Sequence, residues 1–213
     1  MPITHTKVYF MKFSYFYSLL TFATILNAAN VDKFERADNA LEPQNAATTT
    51  QASVAKKKIT IKEATLKAIN ALRTKNQICA KATKPLIWNE ALYKVTKEHT
   101  VDMAANSMLS HDGSGKDTDL TAKRLGLSRG SHFYERVNQK VNSKAILSGE
   151  LVVSVAANSY KSPKKVLNYW IQRPNDCKVI MDPRFSDVAL SKVINTKTGR
   201  AYWTLMLAGR NKK

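Results

Sequence analysis

The clearest periodicity in the chain starts at Thr60. Ile61, Ala64, Ala68, Ile69 and Leu72 fall on one face of a helix, and Thr60 with Glu63 forms the capping-box pattern that opens it. Asn76-Gln77 ends that helix, and Cys79 follows in a loop. Asn89 is placed to cap a second, longer helix, along which Leu92, Val95, His99 and Met103 recur at helical spacing. Ser110 to Gly115 is a polar, glycine-bearing loop, and Asp117 to Leu125 predicts a short helix stopped by Gly126. Residues 128–148 are basic and only weakly periodic, and Leu151-Val152-Val153 is too short a run to assign. Ser162-Pro163 opens a further helix that buries Val166, Leu167 and Trp170. Val188 to Ile194 and Ala201 to Leu207 have the β-branched and aromatic content of strands, joined as a hairpin by the turn from Asn195 to Gly199. Helices first and strands last predict an α+β fold.

The chain before Thr60 reads differently. Lys7 and Lys12 precede an uncharged apolar run from Phe13 to Leu26, and Asn27-Ala28-Ala29 supplies small residues at a cleavage position, so residues 1–28 have the pattern of a secretory signal peptide. Met11 is an alternative start, and an uncleaved membrane anchor is the alternative fate of the run. Residues 29–58, rich in Ala, Thr, Gln and Asn and closed by Lys56-Lys57-Lys58, have little to bury and read as a disordered linker. Residues 59–213 then form one domain, and the expected location is secreted or periplasmic.

Charge narrows the partners. The formal net charge is +18, and removing the leader takes away only Lys7 and Lys12. Such a surface is drawn to anionic lipid, acidic envelope polymers or other anionic surfaces. The lysines are scattered rather than clustered as nucleic-acid readers, so no specific nucleic acid is expected. Two cysteines in an exported chain, Cys79 and Cys177, read most simply as one disulfide, and they are too few for a thiolate zinc site.

Several short segments, in order, resemble the CAP superfamily of cysteine-rich secretory proteins, antigen 5 and pathogenesis-related proteins, in its shorter bacterial (SCP-like) form. They are Pro85-Leu86-Ile87-Trp88-Asn89, His99 with Asp102-Met103-Ala104, Leu109-Ser110-His111 with Gly113-Ser114, Gly149-Glu150, Trp170 through Cys177 to Phe185, and Tyr202-Trp203-Thr204. The resemblance implies a three-layer α/β/α sandwich with a central antiparallel sheet, and a cleft of histidine and glutamate that holds a divalent cation in some members. It also matches a Cys79–Cys177 pairing. Two departures stand out: the family's Gly-Glu-Asn is Gly149-Glu150-Leu151, and its second cleft histidine is Asp176.

The candidate site is therefore His111, Glu150 and Asp176, with Glu135 as the alternative to Glu150. One imidazole and two carboxylates suit magnesium, manganese or calcium better than zinc. The same residues could instead pin loops by hydrogen bonds, or be a site that has lost its ion. No cofactor is required. The expected function is non-catalytic binding of an apolar or anionic envelope ligand, whether lipid, glycan or protein, at or near this cleft. A metal-assisted hydrolase of peptide or cell-wall substrate, with His111 and Glu150 as catalytic groups, is the alternative, and a basic-surface adhesin is another. No Gly-x-Ser-x-Gly elbow is present, and His99 reads as a core histidine. Trp88, Trp170 and Trp203 read as packing anchors with indole N–H groups bonded to backbone.

Overall fold

In the computed structural model, the described residues are 3–10, 59–140 and 145–210. They form a five-stranded sheet in the order β1-β3-β5-β4-β2. β1 is Ile3–Phe10, β2 Ile87–Trp88, β3 Ala145–Ala156, β4 Asp187–Asn195 and β5 Arg200–Arg210. β1, β3, β5 and β4 pair antiparallel in turn, and the short β2 runs parallel to β4 at the far edge.

Alternation along the strands sets the layers. Leu151, Val153 and Val155 of β3, Trp203, Leu205 and Leu207 of β5, and Val188 and Leu190 of β4 share one apolar cluster with Ile69, Val166, Leu167, Trp170 and Ile180. Those partners lie on α1 (Ile61–Arg73), α5 (Pro163–Ile171) and α6 (Pro174–Met181). The intervening residues Val152, Val193, Tyr202, Ala189 and Met206 face the other way, against Leu92, Val95 and Met103 of α2 (Glu90–Ala105) and Phe133 and Val137 of α4 (Phe133–Lys140). Because successive strand side chains point to opposite faces, a sheet with helices on both sides must be apolar at nearly every position. The result is the α/β/α sandwich.

The local signals act as read. Thr60 and Glu63 make both halves of the capping box, and Asn89 Oδ1 accepts the Leu92 N–H. α3 (Leu120–Leu125) ends at Gly126 in the left-handed region, φ 61°. In the β4–β5 hairpin, Asn195 Oδ1 accepts from the N–H groups of Lys197 and Thr198, and Gly199 takes φ 62°, which a side chain would strain. Cys79 and Cys177 are joined as a disulfide across 98 residues, tying the loop after α1 to α6. A loop of that length corresponds to about 4–5 kcal/mol of lost unfolded-state entropy.

Arg73, the last residue of α1, is fully buried and acts as a strut. Its guanidinium donates to the carbonyls of Lys84, Ile180 and Asp182, fastening α1 to the segments entering β2 and leaving α6. Burial, only partly offset by Asp182, lowers its pKa to about 10.

Residues 3–10, within the expected leader, form edge strand β1 against β3; Ile3, Thr4, Thr6, Val8, Tyr9 and Phe10 make the stretch rich in strand formers. The rest of the leader and the linker 29–58 lie outside the described residues. The unassigned stretch 128–148 yields α4 and the start of β3, whose full span of twelve residues was hidden because both of its faces are buried. The indole N–H groups of Trp170 and Trp203 find no hydrogen-bond acceptor among the described residues, so these rings serve as packing, with Lys192 Nζ 5.2 Å from the centroid of the Trp203 ring.

Candidate functional site

Glu150 sits in the middle of β3, fully buried, on the α2 side of the sheet. Gly149 precedes it because the opposite face is occupied: a Cβ there would lie 2.8 Å from Cζ of Phe185. His111, in the loop after α2 and 6% exposed, brings Nδ1 to 2.8 Å from Glu150 Oε1. An ionised carboxylate can only accept, so Nδ1 carries the proton and donates.

Arg136 of α4 completes the arrangement. Its Nη2 lies 3.1 Å from Glu150 Oε2 and donates to the His111 carbonyl at 2.6 Å, while Nη1 donates to the Ser131 carbonyl at 2.7 Å. His99 of α2 donates Nε2–H to the Ser110 carbonyl at 3.0 Å, and that nitrogen is 3.9 Å from Glu150 Oε1. Burial pushes the Glu150 carboxyl up, but the Arg136 guanidinium and the His111 hydrogen bond outweigh it and hold the pKa at about 2. Burial, reinforced by the Arg136 charge, lowers His99 to about 4. At neutral pH the site is thus a carboxylate–guanidinium pair with a neutral His99 beside it.

The surrounding loops are clamped onto this knot. Asp102 of α2, 1% exposed, accepts from the Ser114 N–H at 2.8 Å, the Ser114 hydroxyl at 2.6 Å and the Thr118 hydroxyl at 2.5 Å. Asp119 accepts from the Ser131 N–H at 2.8 Å and its hydroxyl at 2.7 Å, which joins the His111 loop to the segment entering α4. The two loops touch backbone to backbone: a Cβ on Gly130 would lie 1.8 Å from the Gly113 carbonyl oxygen.

Of the residues named by sequence, His111 and Glu150 meet and Asp176 does not join them. Asp176 lies in the first turn of α6, on the opposite side of the sheet, where it accepts from Arg173 Nε at 2.9 Å. The motif position is kept, but α6 packs with α1 and α5 on the face that holds Leu151 and Val153. Glu135 is engaged elsewhere, accepting from Arg129 at 2.6 Å and from the His132 N–H at 2.7 Å. His132 pairs with Asp112 at 2.8 Å and stacks on Tyr134.

Arg136 is the member that sequence reading missed as part of the site. Phe133, Arg136 and Val137 fall at i, i+3 and i+4, so Arg136 shares the buried face of a short amphipathic helix and needs a buried anion. His99 is a core histidine, as its stripe implied; its Nε2 is bonded to the Ser110 carbonyl and lies near Glu150, while its buried Nδ1 finds no partner among the described residues.

Glu150 offers a divalent cation no free carboxylate oxygen. Both oxygens of Glu150 are engaged, and a guanidinium already provides the positive charge 3.1 Å away. Among the described residues, no group of three or more His, Cys, Asp or Glu side chains is arranged to hold a metal ion. An open groove of about 920 Å³ lies elsewhere, bounded by Thr74, Lys84, Pro85, Ile87 and Phe185.

The family profile for cysteine-rich secretory proteins, CAP, matches residues 66–207, well over half of the chain. The chain belongs to the CAP family. Among solved structures it is similar to an outer surface protein from Borrelia burgdorferi, at 17% identity over 67% of this chain and 87% of that one, with TM-score 0.48. It is also similar to an extracellular protein containing an SCP domain from Bacillus anthracis, at 16% identity over 60% of this chain and 35% of that one, with TM-score 0.45. No curated protein matches. Within this CAP domain, the disulfide pairs the two cysteines that sequence paired.

Proposed function

We propose that this CAP-domain protein is an exported, non-catalytic binding module for an anionic ligand of the cell envelope, and that the His111–Glu150–Arg136 knot is its internal brace. The observation that carries this reading is the state of Glu150. It is fully buried, saturated by Arg136 and His111, and held at a pKa of about 2. A general acid or base works best with a pKa near the working pH and within reach of substrate. Glu150 has neither property, and His99 at about 4 is likewise a poor base. Binding then falls to the exterior, where the net charge of +18, or +16 once Lys7 and Lys12 leave with the leader, favours anionic partners. The apolar run of residues 13–26 supports export, and no described helix is long and apolar enough to cross a membrane.

The test is a pair of titrations. Calorimetry with zinc, manganese and calcium should give no saturable heat, and retention on anionic envelope polymer or vesicles should be strong at low salt, weaken with added salt and survive His111→Ala. Stoichiometric ion binding abolished by His111→Ala would overturn the reading, as would a wild-type protein that no anionic matrix retains.

A further inference from the structure

Exposed cations stand on both helical layers. On the α2 side Lys123 pairs with Asp117, Arg124 with Glu98 and Arg129 with Glu135, while Lys94 and Lys116 make no ion pair among the described residues. On the α1/α5/α6 side, Lys67, Lys75, Lys81, Lys164, Lys165 and Lys178 are exposed, and none makes an ion pair among the described residues. Within that layer the most exposed large apolar side chain among the described residues is Ile78. Ile78 is 89% exposed at the tip of a tight turn closed by hydrogen bonds between Gln77 and Ala80 in both directions, at 2.9 and 3.3 Å.

The turn is also locked covalently. Cys79, next to Ile78, is bonded to Cys177 with Cα atoms 6.0 Å apart, which sets Lys178 beside the turn. Lys75 and Lys81 flank it along the chain. Ile78 is therefore a fixed apolar point among three cations that have no acidic partner among the described residues.

We propose that this turn is a membrane-docking tip, with Ile78 entering the head-group boundary of an anionic lipid surface while Lys75, Lys81 and Lys178 meet the lipid phosphates. The proposal rests on the anionic-ligand reading above and names its partner and surface. Charge complementarity alone would serve an acidic polymer equally well. The lipid surface is favoured because only it offers an apolar layer just beneath its charges, and because a turn held by a disulfide pays little ordering cost on insertion. Each lysine near such a surface should raise partitioning by about fivefold, and burying the isoleucine should add about fivefold or more.

The experiment is sedimentation of the full chain with vesicles of equal phosphatidylglycerol and phosphatidylcholine, against phosphatidylcholine alone, with a heparin column as the polymer arm. The wild type should bind only the anionic vesicles. Ile78→Ser should lower that binding about fivefold or more and leave heparin elution unchanged, whereas Lys75→Gln with Lys81→Gln and Lys178→Gln should weaken both. All four positions are exposed and leave the disulfide intact, and an unchanged unfolding midpoint verifies each variant's fold. Vesicle binding indifferent to Ile78→Ser would overturn the proposal in favour of a polymer. Equal losses from Lys94→Gln and Lys123→Gln, on the opposite layer, would overturn the assignment of the surface. Both outcomes leave the anionic-ligand reading standing, whereas a wild type that binds neither vesicles nor heparin removes both.

Discussion

Glu150 and Asp176 are both buried carboxylates paired with arginine, and they stand on opposite sides of the same sheet. Glu150 is met by Arg136, whose side chain is 2% exposed, so neither charge can turn to water if the other is lost. Asp176 is met by Arg173, whose side chain is 46% exposed and rests over the Tyr169 ring, so its cation stays hydrated with or without the acid. The difference separates a brace from a helix-end contact. Where both partners are dry, the pair is an obligatory unit whose halves are each harmful alone; where one is wet, the pair is a modest and screened attraction.

The largest expected effect follows from breaking the dry pair. Glu150→Gln leaves the Arg136 cation buried with only carbonyl and amide dipoles around it, and should cost roughly 3–5 kcal/mol in urea unfolding. Combining Glu150→Leu with Arg136→Met removes both charges and should recover most of that loss. A double variant no better than Glu150→Gln would show that the knot's hydrogen bonds to the Ser131 and His111 carbonyls, rather than its charges, hold the loops.

Acid titration sharpens the same contrast from the side of protons. The folded pKa of Glu150, about 2, lies below its ordinary 4.5, so the folded state binds fewer protons than the unfolded chain in that interval. Its stabilisation is complete above about pH 4.5 and is lost as pH falls toward 2. His99 has a folded value of about 4 against 6.5, so its neutral form is favoured by folding and its contribution fades as pH falls from 6.5 to 4. Stability should therefore fall in an upper and a lower stage, each with a slope of at most about 1.4 kcal/mol per pH unit for one proton. His99→Gln, which keeps a donor for the Ser110 carbonyl, should remove the upper stage only. Urea midpoints taken at small pH steps from 7 to 2 read both stages, and an upper stage that persists in His99→Gln must belong to another group.

How much of this was legible beforehand follows the range of the interactions. Local chemistry spoke clearly: the Thr60–Glu63 box, the Asn89 cap and the Asn195–Gly199 turn each depend on side chains bonding backbone within four residues. β3 was obscure because a strand buried on both faces loses the alternation that marks strands, and an acid at its centre disguises it further. His111 and Glu150 were brought together only through the family motif. Asp176 was misplaced by the same route, since a motif fixes position along the chain but not which face of the sheet a helix covers. Arg136 left a signal in its spacing with Phe133 and Val137, a buried cation in want of an anion. β1 lay within a stretch read as a leader for its lysines and the apolar run after them, which drew attention away from its strand-forming residues.

The smallest effect tests the wet side of the comparison. Asp176 sits in the first turn of α6, near the positive end of the helix, and accepts a hydrogen bond from Arg173, an arginine that water also reaches. Asp176→Asn keeps the shape and an acceptor while removing the charge, so its cost should be about 1 kcal/mol or less. Because Arg173 is solvated, most of that cost should vanish in 1 M salt, where the screening length is about 3 Å. The Glu150→Gln cost should persist there, since no ions enter the knot to screen Arg136. Guanidinium would confuse charge with denaturation, so the measurement is urea unfolding of each variant and the wild type at low and high sodium chloride. A salt-independent loss of several kcal/mol at Asp176 would mean that its carboxylate braces α6 as Glu150 braces the loops, and that burial of the acid, rather than exposure of its arginine, decides which pairs are obligatory.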